Sequence, residues 1–432
     1  MHFYSGERYL KVDGHKQITM DKPVFEYTKP KTVAIPLKNA GYEDFEVHVA
    51  VGATVKIGTL LATGKDHNKL PLFSSVSGTV TAIEKRDHIG LKKTDHIIIE
   101  NNQLDDKELL FEPATDLLAL ADTDIKERLK TAGSLGLGGL GVPAFTKFRN
   151  TKNVDTLLIN GTESETHVTA DERNMTDNPE LLVEGAKALL KAADASTCFI
   201  VVNETKVSLI NKLNDLTAGS PIEIKTMPNA YPTGFEKNLI KHFFDKTYKM
   251  MPLEVGIISM NVSTVIEFAR TLKTGLPLYE RTITLGGEGL KDPQNVRVRI
   301  GTQLAEIVTA IGGYSEGVSK ETARLAHGGP MRGEAVITDT LSVTPVTNAF
   351  TVHFSGPEAS PCSRCGDCIR HCPMDLQPIQ IARAFRLKEK QTLLDLAADQ
   401  CIECGVCSYV CSSHIDVADL AKKGRALAVQ KA

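Results

Sequence analysis

The sequence predicts a multidomain chain of mixed α/β and α+β architecture. Three observations carry that expectation. At 432 residues the chain is longer than one ordinary core holds. Residues 1 to about 110 read as short strands, and the stretch after them alternates strand with helix. Eight of the nine cysteines fall between residues 362 and 411.

The strand-like runs of the first part are Thr32–Leu37, Glu46–Val49, Gly78–Ile83 and His96–Glu100. Val51-Gly52-Ala53-Thr54-Val55-Lys56-Ile57-Gly58 followed by Ser74–Val80 resembles a biotinyl/lipoyl-type barrel-sandwich. A carrier of that type would be modified on a lysine at a hairpin tip. Lys69 lies in such a hairpin, Asp66-His67-Asn68-Lys69, but its flanks do not match the carrier motifs. A scaffold role is therefore expected for residues 1–110.

Residues 111–254 alternate: strand Thr156–Asn160, a helix capped by Asn178 with Pro179 in its first turn, then strand Phe199–Val202. A helix near Lys206–Leu216, strand Ile222–Lys225 and a helix after Tyr231-Pro232 follow. Such alternation implies a Rossmann-like parallel sheet covered by helices, with ligands beyond the C-terminal strand ends. Residues 255–345 turn β-like again at Thr282–Leu285. There Asn295–Thr302 reads as a strand leading into the helix Ala305–Val308, as in a small mixed domain. Residues 346–432 carry the cysteines and two helical patches, Ile379–Lys388 and Val417–Val429.

Bulk composition excludes several classes. Apolar residues make up 42% and charged residues 24%, as in ordinary globular proteins. The net charge of −3 and the lack of a basic run predict no nucleic-acid partner. No apolar run is long enough for a direct membrane span. The N-terminal residues lack the basic-then-apolar order of a signal peptide, so the expected location is the cytoplasm. Cys198, in the apolar run Thr197–Val202, reads as a packed small side chain.

The strongest motif is a pair of cysteine runs. Cys362, Cys365, Cys368 and Cys372 form one C-x2-C-x2-C-x3-C pattern, and Cys401, Cys404, Cys407 and Cys411 form another. This is bacterial ferredoxin spacing for cubane clusters, in which the fourth cysteine of each run ligates the other cluster. It assigns Cys362, Cys365, Cys368 and Cys411 to one [4Fe-4S] cluster and Cys401, Cys404, Cys407 and Cys372 to the second. The alternative, two structural zinc sites, fits poorly, because zinc sites usually separate their cysteine pairs by a dozen or more residues. Ser412 replaces the usual proline after the second run, which alters a turn and no ligand.

The loop Gly136-Leu137-Gly138-Gly139-Leu140-Gly141-Val142-Pro143-Ala144-Phe145-Thr146-Lys147 is the second motif. Glycines alone serve turns as readily as phosphates. This loop resembles G-x-G-G-A-G-F-P-T-x-x-K, shared by the flavin-carrying NADH-oxidising subunit of respiratory complex I and the C subunit of the Rnf complex. Asn160-Gly161-Thr162-Glu163-Ser164-Glu165, Thr169–Arg173, Tyr231–Lys237, Asn261–Thr264, His327–Met331 and both cysteine runs continue the match in the order of the Rnf protein.

The resemblance covers nearly the whole chain. It implies an FMN-binding Rossmann-like domain, a small β-grasp domain at 255–345 and a two-cluster ferredoxin-like α-helical end. It also implies FMN held by Gly136, Gly138, Gly139, Lys147, Asn160, Glu163, Gly234, Asn261 and Thr264. Glu165 and Glu236 match acidic residues near NADH in the relatives. The implied function is an oxidoreductase subunit passing electrons between NADH, FMN, two [4Fe-4S] clusters and a redox partner. That partner would be the Rnf membrane subunits, which would hold the chain peripherally on the inner face of the cell membrane.

No side chain need act as an acid or base in this chemistry, so no catalytic residue is assigned. Val142, Ser164, Thr166 and Phe235 depart from the pattern on the dinucleotide side of the pocket, and Leu140 and Ala144 also differ. Those departures motivate an alternative: a soluble relative serving a dedicated reductase or corrinoid system, with altered or absent NADH binding. An electron-transfer adaptor without flavin is a third reading.

Overall fold

The computed structural model describes residues 9–39, 43–89, 92–139, 141–318 and 322–430. β1 (Phe25–Tyr27) precedes the barrel-sandwich formed by β2 (Thr32–Pro36), β3 (Phe45–Val47), β4 (Thr54–Val55), β5 (Leu60–Gly64), β6 (Pro71–Phe73), β7 (Gly78–His88) and β8 (Lys92–Asn101). One sheet has the order β2-β8-β7-β4 and the other β3-β5-β6. Alternation in the sequence sets which residues face inward: Val33, Ile35, Val55, Leu61, Val80, Ile97 and Ile99 fill the space between the sheets. Lys69 sits in a tight turn, its amide bonded to the Asp66 carbonyl at 3.1 Å and its φ at +49°.

After α1 (Asp122–Thr131) come β9 (Thr156–Gly161), α2 (Ala170–Asp177), α3 (Pro179–Ala193), β10 (Thr197–Asn203), α4 (Val207–Thr217) and β11 (Ile222–Met227). Next are α5 (Glu236–Phe244), β12 (Ile257–Asn261) and α6 (Val262–Thr274). The four strands are parallel in the order β11-β10-β9-β12. β9 and β10 are largely apolar on both faces, and Leu157, Ile159, Ile200 and Val202 meet Leu182, Ala186, Leu189, Val265 and Phe268 from α3 and α6. Gly185 permits the close crossing of those helices, since a Cβ there would lie 2.8 Å from the Val265 carbonyl oxygen. Cys198 is buried in β10.

Two expectations are modified here. Asn178 stands at the start of α3, but its side-chain oxygen accepts from Arg270 Nη2 at 3.0 Å instead of capping the helix. Its Nδ2 donates to the Asn174 carbonyl at 3.0 Å at the end of α2. The expected division at residue 254 falls ahead of β12, which is the outer strand of the β9 sheet. Its run Ile257-Ile258-Ser259-Met260 is buried against β9 because that sheet supplies an apolar edge within reach.

β13 (Glu280–Gly286), β14 (Gln294–Arg299), α7 (Leu304–Ala310), β15 (Arg324–His327), β16 (Glu334–Val336) and β17 (Ala349–His353) follow. They form a six-stranded sheet in the order β1-β14-β13-β17-β15-β16. The sheet thus recruits β1 from the N-terminal segment and β17 from beyond residue 345. Ile283, Val296 and Val298 share one apolar core with Val33, Ile35 and Ile97 of the barrel, which locks the two units together.

The last part contains α8 (Asp367–Arg370), α9 (Pro378–Arg386), α10 (Lys390–Asp395), α11 (Val406–Tyr409) and α12 (Val417–Val429). Leu376, Ile381, Leu393, Ala398 and Ala421 form its small core. No helix among the described residues is long and apolar enough to cross a membrane.

Candidate functional site

The chain runs from β9 outward to β11, then returns to place β12 on the other side of β9. That reversal opens a crevice beyond the carboxyl ends of β9 and β12, where ligands of open α/β sheets bind. Asn160 and Asn261 end the two strands and are paired in register. The glycine loop lies over them. Its Leu137 amide donates to Thr264 Oγ1 at 2.8 Å, and a Cβ on Gly138 would press on the Asn261 Cβ at 3.3 Å. Gly136 closes the loop by donating to the Val142 carbonyl at 2.8 Å. Gly139 has φ +103°, with nothing within 4 Å of a Cβ built on it. Gly139 therefore faces open space, and its backbone conformation is one that a side chain would strain. Leu140 lies outside the described residues.

Each polar group of the crevice is positioned by a neighbour. Asn261 caps α6 by accepting the Ser263 and Thr264 amides and donates Nδ2 to Asp171 at 2.6 Å. Asn160 donates to the Gly234 carbonyl at 2.8 Å and accepts the Thr162 hydroxyl at 2.7 Å. Gly234 has no room for a side chain, because a Cβ would meet Thr162 Oγ1 at 2.6 Å. Lys147 is half-buried and donates to the Ser259 carbonyl at 2.6 Å; desolvation pulls its pKa down. A cation under a glycine loop, with two asparagines at the strand ends, suits a flavin phosphate and its polar ring edge.

The three glutamates expected in the pocket have other partners here. Glu163 accepts the Asp171 and Glu172 amides at 2.8 and 3.0 Å at the start of α2. Burial pushes its carboxyl up, to about 8, against the pull of Lys16. Glu236 accepts the Tyr248 hydroxyl at 2.6 Å. Glu165 accepts the Met331 amide at 2.9 Å and faces the Tyr231 hydroxyl at 3.4 Å. Burial holds its carboxyl at about 7 instead of the ordinary 4.5. Folding therefore takes up a proton on Glu165 between about pH 4.5 and 7, and its contribution to stability falls as pH rises through that window. Glu165→Gln is expected to flatten the decline of the melting temperature across this window; an unchanged slope would place the titrating group elsewhere.

The cysteine runs fold as two copies of one element. Arg364 and Glu403 both have positive φ and donate their amides to Cys362 Sγ and Cys401 Sγ, each at 3.4 Å. Gly366 and Gly405 share φ +81° and open α8 and α11. Burial pushes the Cys404 thiol up to about 12, and neighbouring Cys401 and Cys372 add to it. Burial likewise raises Cys368, with Cys365, Cys411 and Cys362 adding. The fold thus brings Cys372 to Cys401, Cys404 and Cys407, and Cys411 to Cys362, Cys365 and Cys368. Cys368 is also a neighbour of Cys407, so the two quartets adjoin.

The quartet of Cys372, Cys401, Cys404 and Cys407 lines a recess walled by Leu376, Pro378, Ile381, Val406 and Ala421. Four thiolate donors around an apolar recess fit a cubane cluster. The other quartet is more open, with Cys362 and Cys365 exposed.

The buried quartet is docked on the crevice. The Tyr231 hydroxyl donates to the Cys404 carbonyl, and Lys237 donates to Gln400 at 3.0 Å. Tyr231, Cys404 and Val406 share an apolar cluster with Phe235 and Met331. Gly405 packs directly on the Met331 backbone, where a Cβ would lie 2.0 Å from the carbonyl oxygen. Asp171, which orients Asn261, and Tyr231, which reaches the Cys404 loop, carry no spacing signature of their own; each lies inside a recognisable stretch of sequence that gives it no separate role.

The matches to known families follow this anatomy. Residues 129–270 match the Nuo51 FMN-binding domain and residues 6–104 the RnfC barrel sandwich hybrid domain. Residues 282–335 match the SLBB domain and residues 361–416 a 4Fe-4S dicluster domain. The chain is 32% identical over 376 residues to the C subunit of the Na(+)-translocating ferredoxin:NAD(+) oxidoreductase complex of Acetobacterium woodii, covering 85% of this chain and 84% of that one. It is 29% identical to the proton-translocating counterpart of Clostridium ljungdahlii, covering 89% and 86%. It is 28% identical to the corresponding protein of the ion-translocating oxidoreductase complex of Rhodobacter capsulatus, covering 85% and 72%. Among solved structures, an NAD+-reducing [NiFe]-hydrogenase in its H2-reduced state shares the fold, with TM-score 0.51 and 19% identity over 74% of this chain and 65% of that one.

Proposed function

Starting from the fact that the chain belongs to the RnfC family, we propose that it exchanges electrons between NADH and a partner protein through the docked crevice and quartets. The chain is a flavo-iron–sulfur electron-transfer subunit. FMN supplies the change from two-electron hydride to single electrons, and [4Fe-4S] clusters carry the single electrons. The chain's own residues supply placement. Gly136, Gly138, Gly139, Lys147, Asn160, Gly234, Asn261 and Thr264 shape the flavin site, and the eight cysteines hold the clusters as two crossed quartets. Glu163, Glu165 and Glu236 act behind the pocket wall, fixing α2, the Met331 turn and Tyr248.

The observation that carries this reading is the contact of Tyr231 with both the crevice wall and the Cys404 loop. It joins the two sites through packed protein, along which an electron can pass. The exposed quartet is the natural exit to a partner, and relatives of this family belong to ion-translocating oxidoreductase complexes. We assign the partner role to membrane-embedded members of such a complex, with the chain peripheral on the inner face of the membrane.

Anaerobic titration with NADH tests the circuit. The flavin absorbance is expected to bleach, followed by reduced-cluster resonance signals. Bound flavin indifferent to NADH would instead favour service to a dedicated reductase. The engagement of Glu165 by Met331, together with Val142 in place of the family's aromatic residue, is what keeps that second reading in view.

A further inference from the structure

A cluster of imidazoles and a carboxylate lies where three parts of the chain meet. His167 follows β9, Glu288 follows β13, and His353 ends β17, from which the chain runs on toward Cys362. One nitrogen of each histidine and one Glu288 oxygen lie within 4.8 Å of one another. The His167 and His353 rings meet edge to face at 4.8 Å, and His15 of the N-terminal segment stacks on His167 at 4.7 Å.

The cluster's own hydrogen bonds mark the face that an ion would take. His353 Nδ1 bonds Glu288 Oε2 at 2.8 Å, and the Phe354 amide donates to Oε1 at 3.2 Å. Nδ1 is therefore the His353 nitrogen that stands beside the carboxylate, while Nε2 lies across the ring and takes no part in the site. Burial pulls the His167 pKa down to about 4, with His353 and His15 adding, so its imidazole is neutral and holds a lone pair at physiological pH. A cation in place of the shared Nδ1 proton would meet that nitrogen, the Glu288 carboxylate and His167 together.

We infer that His167, His353 and Glu288 form a binding site for a divalent first-row cation of the zinc type, with His15 stacked over it. Two imidazoles and a carboxylate, with room for a further ligand, are a donor set that zinc accepts. Glu288 is partly exposed, which gives the ion a route in. The role is structural. The ion would join the N-terminal segment, the crevice unit and the six-stranded sheet at the point where the chain departs for the cysteine domain.

The test uses the full chain, purified anaerobically with iron and flavin in place and dialysed against buffered micromolar zinc. Expected are one zinc per chain and a zinc K-edge spectrum with imidazole and oxygen scattering but no sulfur. His353→Gln keeps the size and polarity of the side chain, and Glu288→Ala is a surface change. Each is expected to weaken zinc binding by at least the roughly 10- to 100-fold that losing an outer partner costs, with iron and flavin contents unchanged. Absence of bound zinc, a sulfur-only shell arising from the cluster cysteines, or full zinc retention in both variants would overturn the assignment.

Discussion

Replacing Cys404 by serine is expected to remove about half of the chain's iron and acid-labile sulfide, because one of two cubanes loses a thiolate. The crossed arrangement makes a sharper statement. Cys372→Ser, although it lies in the other run, should abolish the same resonance signal as Cys404→Ser, since Cys372 stands with Cys401 and Cys404 in the buried recess. Cys411→Ser should instead match Cys362→Ser. Iron analysis with electron paramagnetic resonance on the four variants decides the point. If Cys372→Ser and Cys362→Ser shared one phenotype, each run would hold its own cluster and the crossing would be wrong. The Cys404 and Cys372 variants should also show the greater loss of NADH-driven cluster reduction, because that quartet adjoins the crevice.

Asn261→Ala is the second large effect. Asn261 caps α6, which is worth about 0.5–2 kcal/mol, and it donates to the buried Asp171 carboxylate, a bond of about 1.5–3 kcal/mol. Truncation leaves Asp171 with the Ser263 hydroxyl and loosens the floor of the glycine loop. A lower melting temperature and loss of most of the bound FMN are expected. Asn261→Ser separates the two causes, because serine still caps a helix but is too short to reach Asp171. Recovery of melting temperature without recovery of flavin would assign the flavin loss to the Asp171 contact. Wild-type flavin content in Asn261→Ala would remove Asn261 from the site.

Much of this anatomy is legible in the amino-acid order. The cysteine spacing is a local code, since two residues between thiolates fix their reach, and the alternation of β9 through β11 with helices announces a parallel sheet. What stays hidden depends on contacts between distant segments. β1 is too short to announce its partner, and it joins a sheet built mostly from residues beyond 280. β12 reads as an apolar strand in any context, and only the open edge of β9 decides where it goes. The glutamates show the same limit on the scale of one side chain. Nothing in the order of residues announces that Glu163, with φ +39°, accepts the Asp171 and Glu172 amides at the start of α2, or that Glu165 accepts the distant Met331 amide. His15, His167, Glu288 and His353 share no spacing at all, and separate chain segments have to fold before they meet.

The close seating of Gly405 on Met331 separates two kinds of kinetics. Passage between the crevice and the buried quartet occurs inside one packed joint, with a spacing set by backbone against backbone, not by a tether. It is therefore first-order, indifferent to protein concentration and to solvent viscosity. Departure from the exposed cysteines requires a second molecule to arrive, so that half of the circuit is second-order and responds to crowding, salt and partner abundance. Control over flux through the proposed circuit accordingly acts where other molecules arrive, NADH at the crevice and a partner at the outer face, while the inner transfer proceeds at a rate written into the fold.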